Sequence, residues 1–469
     1  MTRAKAIVLM AAGRGTRMKS KRSKVLHPVA GRPMIHYPIR TALDLGATKI
    51  VVILGHQRDE IKTYLANTFP EAPIEIAIQE QQLGTAHAVQ CAARALDGFE
   101  GDVFILSGDV PALPTSVIER LDREANSADV AVLGMRVDEP GAYGRMITSD
   151  EGTLSAIVEA RDCTAEQLAV QVVNAGIYRV DAGFLFDSLS KVDTENAQGE
   201  YYLTDIVADA SASGRRVSMT VLEGAEAQLA EGVNDRLGLA RVEAMMQTRL
   251  REAAMLGGVT FIDPSSVTLH DGVVIGEDSV IEPNVALLGN TQIGAGCVLE
   301  QGCRIEDSSI GDDARIKGMS HIERAQIGRA CQIGPFARLR EGSVFDEGVK
   351  IGNFVETKKA VFDAGAKASH LSYVGDAHVG AAANIGAGTI TCNYDGYRKF
   401  KTEIGAGAFI GSDTQLVAPV KVGAGAIVAA GTTVTGDVPA DALTLSRTAQ
   451  VTKEGWAHKK RALEATRDK

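Results

Sequence analysis

With 469 residues, 45% of them apolar and 23% charged, the chain is long enough for two or three globular domains. No apolar run approaches the ~20 residues of a membrane span, and a formal net charge of −10 argues against nucleic acid as the main partner. Glycine is unevenly spread, 28 in residues 257–447 against 20 in 1–256, and aromatics are scarce at 5%, so two different architectures are expected.

The N-terminus runs an apolar strand directly into a glycine-rich turn, without a secretory h-region or cleavage site. Cys91, Cys163, Cys297, Cys303, Cys331 and Cys392 form no Cys-x-x-Cys pair, which points to reduced thiols in a cytoplasmic protein. Lys5–Met10 reads as the first strand. Further strands are expected over Ile50–Leu54, Ile74–Ile78, Val103–Leu106, Val130–Met135 and Val173–Tyr178, and helices over Met34–Leu45, Arg58–Thr68 and Thr85–Ala95. That alternation predicts a mostly parallel, Rossmann-like α/β sheet covered on both faces, with ligand loops beyond the carboxyl ends of its strands.

The first such loop is Gly13-Arg14-Gly15-Thr16-Arg17-Met18, where glycines let backbone N–H groups approach a phosphate and Arg17 and Lys24 supply charge. It lacks the Gly-Lys-Ser/Thr of a P-loop, and Met18 stands at the last glycine of GxGxxG, so phosphate binding and an ordinary turn both fit. The second loop, Ser107-Gly108-Asp109-Val110-Pro111, offers a carboxylate at a strand end, suited either to Mg²⁺ or to an Asx turn or helix cap.

LMAAGRGTRM with Lys24, QEQQLGTAHA, SGDVP, AYGR, IVEARD, NAGIY, GEYYLTD and EGVNDR occur in this order over about residues 5–236. In this the segment resembles the sugar-nucleotide pyrophosphorylases, and among them the uridylyltransferase half of the bifunctional bacterial enzymes that make UDP-N-acetylglucosamine. The resemblance implies that Leu9 to Gly15, Gly13 included, bind the nucleotide, and that Arg17 and Lys24 meet the triphosphate as catalytic cations. It further implies that Gln79, Gln82, Gly84 and Thr85 read uracil and ribose, that Asp109 and Asn234 hold Mg²⁺, and that Gly144, Glu159 and Asn174 hold the amino sugar. Ser23 stands where the family usually has proline, and Met10 where alanine is common. The implied chemistry is in-line attack of a sugar-1-phosphate oxygen on the α-phosphorus of UTP, which needs positioning and charge neutralisation rather than a protein nucleophile.

Asn234–Leu256 carries Leu237, Val242, Met245, Met246 and Leu250 at helical spacing and ends at Gly257-Gly258. It is either a helical linker between domain 1–233 and domain 257–469 or a surface helix of the first. Beyond it aliphatics recur every six residues, as at Ile275, Ile281, Leu287, Ile293, Leu299 and Ile305, often followed by glycine. A period of six fits no α-helix and marks the hexapeptide repeat of a parallel β-helix. Three hexapeptides per coil would stack each aliphatic, Ile275 and Ile293 included, on the residue eighteen positions away. The repeat breaks most visibly between Ile385 and Ile404, at Thr391–Tyr397, where a polar and aromatic loop is expected.

His370 alone reads either as a surface histidine or as a base. PFARLR, NFVETKKA, SHLSY, NIGAGT, CNYDG, GSDTQLVAP and SRTAQ, however, resemble the acetyltransferase half of the same bifunctional family. The resemblance implies a left-handed β-helix, whereas the general crossover rule favours the other hand. It implies that His370 is the general base that deprotonates the 2-ammonium of glucosamine-1-phosphate, a task suited to histidine, with Glu356 orienting it. Arg340 and Lys358 would bind the sugar phosphate, Tyr373 and Asn384 the sugar, and Ala387, Asn393, Tyr394, Ser412, Ala430 and Arg447 acetyl-CoA. It also implies a homotrimer with active sites between subunits. The expected protein is thus a two-step cytoplasmic enzyme with the small-molecule substrates glucosamine-1-phosphate, acetyl-CoA and UTP and no nucleic-acid or membrane partner. Against a β-helix that merely assembles the enzyme stand His370 and the 391–397 loop; against a scaffold stand Gly13–Arg17, Lys24, Asp109 and Asn234. The Lys/Arg-rich segment 451–469 packs on a neighbour or is solvated.

Overall fold

The computed structural model describes residues 3–13, 15–55 and 58–467; Arg14 of the glycine-rich turn lies outside them. The chain divides into two compact units, 1–249 and 250–469.

In the first unit the six expected strands are joined at one edge by Val217–Leu222, a strand not expected from the sequence, in the order Val217–Leu222, Val130–Arg136, Val172–Asp181, Asp102–Ser107, Lys5–Ala11, Lys49–Leu54, Ile74–Ile78. Neighbours run parallel except at Val172–Asp181, which is antiparallel to both strands beside it. Alternation along Lys5–Ala11 sends Ile7, Leu9 and Ala11 to one core, with the helices His36–Asp44, Arg58–Thr68 and Thr115–Ala125. Ala6 and Val8 go to the other, with Thr85–Gln90, Ala182–Leu189 and Asp205–Ala212. Met10 lies level with Ile53 on one side and Ser107 on the other, so the loops after these three strands open at one place. That is the carboxyl-end position where open α/β sheets bind ligands.

The helix Arg236–Leu256 begins in this unit. Its Arg236 Nε donates to the Met18 carbonyl at 3.3 Å, its Glu243 accepts from the Ala30 amide at 2.7 Å, and Arg249 donates to the Ala112 carbonyl at 3.1 Å. The division between units at 249/250 therefore falls within the segment expected as a linker.

The second unit is a parallel β-helix whose short strands stack coil on coil, filled by one continuous aliphatic column. Ile281 pairs with Leu299 and Leu287 with Ile305, eighteen positions apart. The eighteen-residue coil is not uniform, however: Ile293 pairs with Ile310, Leu299 with Ile316 and Ile316 with Ile333, seventeen apart. One residue is lost at a corner in such coils. The shortened corners turn at Asp307, Arg324, Lys359 and Asp376, whose φ values are 45°, 46°, 47° and 47°. Corner glycines such as Gly296 and Gly342, at φ 66° and 74°, account for the glycine excess, because a left-handed corner costs glycine nothing. Between Ile385 and Ile410 the step lengthens to twenty-five, and the loop expected there is present: Phe400 N–H donates to the Asn393 carbonyl, and Asp395 Oδ1 accepts from the amides of Tyr397 and Arg398.

Ile293 is buried as expected, but Ile275, in the first coils, is only partly buried against the column. Ile316, fully buried between Leu299 and Ile333, is the more demanding position. Ile316→Ala is expected to cost ~2–5 kcal/mol and Ile275→Ala clearly less, as read from chemical denaturation of the full chain. Cys297, Cys303 and Cys331 are buried beside the column and free, and burial pushes their thiols upward, Cys303 to about 11.

Candidate active sites

The turn after the first strand needs glycine at position 15: its φ is 57°, and a Cβ there would meet Lys24 Cβ at 2.6 Å. Its collapse against the Lys24 stem aims that side chain at the next strand end. Lys24 Nζ forms an ion pair with Asp109 Oδ2 and donates to Asn234 Oδ1 at 3.2 Å, while Arg17 Nη2 donates to the same amide oxygen at 2.9 Å. Ser107 Oγ holds the other Asp109 oxygen at 2.6 Å. The amide of Val233 donates to the Asp109 carbonyl at 2.9 Å, which brings Asn234 to this spot from 125 positions away in sequence. Ser23, in place of the family's proline, has φ −53° and accepts from the Leu26 amide at 3.0 Å, so the turn a proline would pre-set forms without it.

A cleft of about 340 Å³ opens beside this cluster, lined by Met10, Gly13, Lys24, Gln79, Gln82, Gly84, Thr85 and Asp109 among others. Leu9 is buried in the core below it and does not line it. Gln79 Nε2 donates to the Gly84 carbonyl at 3.1 Å and faces His87 Nδ1 at 3.1 Å, which leaves Oε1 without a partner among the described residues. Gln82 donates to the Ala12 carbonyl. Gly84 has φ 121°, and a Cβ on it would strike the Tyr201 carbonyl at 2.4 Å. The amide of Leu203 donates to Thr85 Oγ1 at 2.9 Å. The GEYYLTD segment is thus a brace for the 79–85 loop, a role that its composition does not announce.

Gly144, Glu159 and Asn174 are brought together with one another but lie outside the lining of that cleft. The amide of Asn174 donates to the Gly144 carbonyl at 2.9 Å, and a Cβ at Gly144 would sit 3.4 Å from Glu159 Oε1. Burial pushes the Glu159 carboxyl above its ordinary range, and burial next to Asp193 and Asp162 raises Asp205 to about 6.

In the β-helix, one edge collects many of the expected residues. Asn353 pairs in register with His370, Ala368 with Ile385, Ile385 with Ile410 and Ile410 with Val428. Two residues beyond these last pairs, His370, Ala387, Ser412 and Ala430 therefore follow one another up a single edge. Coils stack at ~4.8 Å. Asn393, nearly buried, donates to Asp376 Oδ2 at 2.6 Å, and Tyr394 OH donates to the Gly396 carbonyl at 2.5 Å. Arg447 is exposed beyond the last coil strand, Leu443–Thr444. On the neighbouring side Tyr373 pairs in register with Glu356, and Lys358 with Gly375, where a Cβ would clash with the Tyr373 ring. Asn384, half-buried, pairs with Lys367 of the His370 strand.

One expectation changes. Glu356 does not touch His370; it accepts from Arg340 Nη1 at 2.8 Å. The ring's partner is Asn353, whose Oδ1 lies 2.7 Å from Nδ1. The reason is register: Glu356 stacks under Tyr373, on a different side of the coil from His370.

Comparison with known proteins covers both units. A nucleotidyl transferase family model matches residues 5–226, a model of the GMPPB C-terminal domain matches 262–362, and a bacterial transferase hexapeptide model of six repeats matches 401–436. A protein of Trichlorobacter lovleyi named bifunctional protein GlmU is 48% identical over 458 residues, 97% of this chain and 98% of its own length. Proteins of the same name from Pelobacter propionicus and Geobacter sulfurreducens are 47% and 45% identical, over 96% and 97% of this chain and 97% and 99% of their own lengths. No described helix is long and apolar enough to cross a membrane.

Proposed function

The chain belongs to the family of bifunctional GlmU proteins and is a uridylyltransferase and an acetyltransferase in one polypeptide, and we propose that its two units divide the residues of these reactions as follows. In the β-helix, His370 takes a proton from the 2-ammonium of glucosamine-1-phosphate. The freed amine attacks the thioester carbonyl of acetyl-CoA, the C–S bond breaks, the departing thiolate recovers the proton from the imidazolium, and the second proton that the nitrogen loses on becoming an amide passes to water. Arg340 and Lys358 bind the sugar phosphate; Tyr373 and Asn384 orient the sugar. Ala387, Asn393, Tyr394, Ser412, Ala430 and Arg447 bind acetyl-CoA, consistent with a cofactor lying along the edge that runs up from His370.

In the α/β unit a phosphate oxygen of N-acetylglucosamine-1-phosphate attacks the α-phosphorus of UTP, and the bond to pyrophosphate breaks. Arg17 and Lys24 balance charge on the triphosphate, Gln79, Gln82, Gly84 and Thr85 hold uracil and ribose, and Gly144, Glu159 and Asn174 hold the acetylated sugar. The observation that carries this reading is the convergence of Lys24 and Arg17 on Asp109 and Asn234 at the mouth of the cleft. Two hard oxygen donors that already meet around one cation fit Mg²⁺, which takes one or two protein oxygens and fills the rest of its shell from phosphates and water. Asp109 and Asn234 would hold it, and when bound it neutralises phosphate charge.

A homotrimer, with acetyl-transfer sites between subunits, is supported by an apolar ridge beside the His370 edge. Met319, Phe336, Phe354 and Leu371 are exposed, stand at successive corners with positive φ, and Phe336 stacks on Phe354 at 5.3 Å. Such a ridge marks a surface that another molecule covers. The substrates and the composition fit a cytoplasmic location. The pairing of reactions is tested with purified protein: CoA release from acetyl-CoA should require glucosamine-1-phosphate, and pyrophosphate release from UTP should require the N-acetylated sugar phosphate and a divalent cation. Pyrophosphate release with the non-acetylated sugar phosphate at equal efficiency would contradict the order of steps.

A further inference from the structure

The His370 edge places an amide where a catalytic histidine needs a partner for its second nitrogen. Asn353 and His370 are register partners on the stacked strands Lys350–Asn353 and Lys367–His370. Each is followed by a left-handed corner residue, Phe354 at φ 57° and Leu371 at φ 48°. The Leu371 amide donates to the Asn353 carbonyl at 3.0 Å, and Ser372 Oγ donates to the His370 carbonyl at 2.8 Å and to the Gly386 carbonyl at 3.1 Å. Both residues are therefore held at equivalent points of consecutive coils by bonds to their backbone carbonyls, independent of their own side chains.

From there Asn353 Oδ1 reaches His370 Nδ1 at 2.7 Å. An amide oxygen only accepts, so the proton in this contact belongs to Nδ1, and the lone pair of the neutral ring is then on Nε2. Among the described residues Nε2 has no hydrogen-bond partner. The one carboxylate expected to orient the ring, Glu356, is bound to Arg340 instead.

We propose that Asn353 is a positioning residue for acetyl transfer: it holds His370 as the Nδ1–H tautomer, with Nε2 free to take the ammonium proton. The proposal rests on His370 being the base. A neutral amide fixes the tautomer without placing a negative charge against the imidazolium, so the proton is not trapped on the ring when the thiolate needs it.

The test uses the full-length chain. Asn353→Leu fills similar space but cannot accept; it should lower kcat for CoA release ~10–100-fold, the usual cost of removing a group that orients a reacting ligand. KM for both substrates should stay within about twofold, because no substrate contact is lost. In ¹⁵N NMR the His370 ring should move from the Nδ1–H towards the Nε2–H tautomer. Asn353→Asp keeps shape and acceptor, so it should retain the tautomer, and its charge should move the acid limb of the kcat–pH profile upward by about one unit. Pyrophosphate release should not change in either variant. Wild-type kcat and tautomer in Asn353→Leu, or an unmoved acid limb in Asn353→Asp, overturns the positioning role; if leucine disturbs the coil, the aspartate variant decides alone. A His370→Ala enzyme that still releases CoA overturns the base assignment instead.

Discussion

His370→Ala should reduce acetyl transfer by ~10²–10⁴-fold, the range lost with a general base, while pyrophosphate release from UTP proceeds at the wild-type rate. The substrate amine is protonated at neutral pH and cannot attack until its proton is removed, and His370 is the expected base on an edge otherwise made of Asn353, Ala387, Ser412 and Ala430. Its side chain is exposed and contributes nothing to the aliphatic column, so the loss should come without a change in the unfolding transition. The measurement is CoA release followed with a thiol reagent, alongside denaturation of the same preparation. An equal loss of pyrophosphate release would mean that the coil, not the base, had failed.

Asp109→Ala should do the reverse. Removing the carboxylate takes away half of the proposed Mg²⁺ donors and the counter-charge of Lys24, and a loss of ~10²–10³-fold in pyrophosphate release is expected for a single preorganised charged group. Lys24 keeps its contact with Asn234 Oδ1, so the cleft should stay formed and nucleotide binding should weaken less than turnover. CoA release should be untouched. Raising Mg²⁺ should recover part of the lost rate if the metal site is weakened, and none if Asp109 serves only to hold Lys24.

Much of this was legible in the residues. A six-residue aliphatic period can be satisfied by a parallel β-helix and by little else, and the break at 391–397 announces its loop by being polar where the repeat is apolar. The strand ends carrying Gly13–Met18 and Asp109 were equally readable, because an aliphatic strand followed by glycine is a local signal. What was hidden is relational. Nothing in the alternation of Val172–Asp181 records that it runs antiparallel. A uniform coil of eighteen puts Gly352 beneath His370; only the shortened side between Thr357 and Phe362, turning at Lys359, brings Asn353 there. The resemblance alone offered Glu356 as the orienting group, but its strand belongs to another side of the prism. The bracing of Gly84 by Tyr201, 117 positions away in sequence, is likewise invisible until the chain is folded.

One chain is expected to carry the residues of two separable active sites. The direct measurement is conversion of glucosamine-1-phosphate, acetyl-CoA and UTP to UDP-N-acetylglucosamine by His370→Ala protein, by Asp109→Ala protein, and by the two purified variants mixed. Neither variant alone should form the nucleotide sugar at an appreciable rate, and the mixture should restore it, with free N-acetylglucosamine-1-phosphate passing from one protein to the other. A mixture that stays as inactive as its parts, while each variant keeps its single remaining activity, would contradict it.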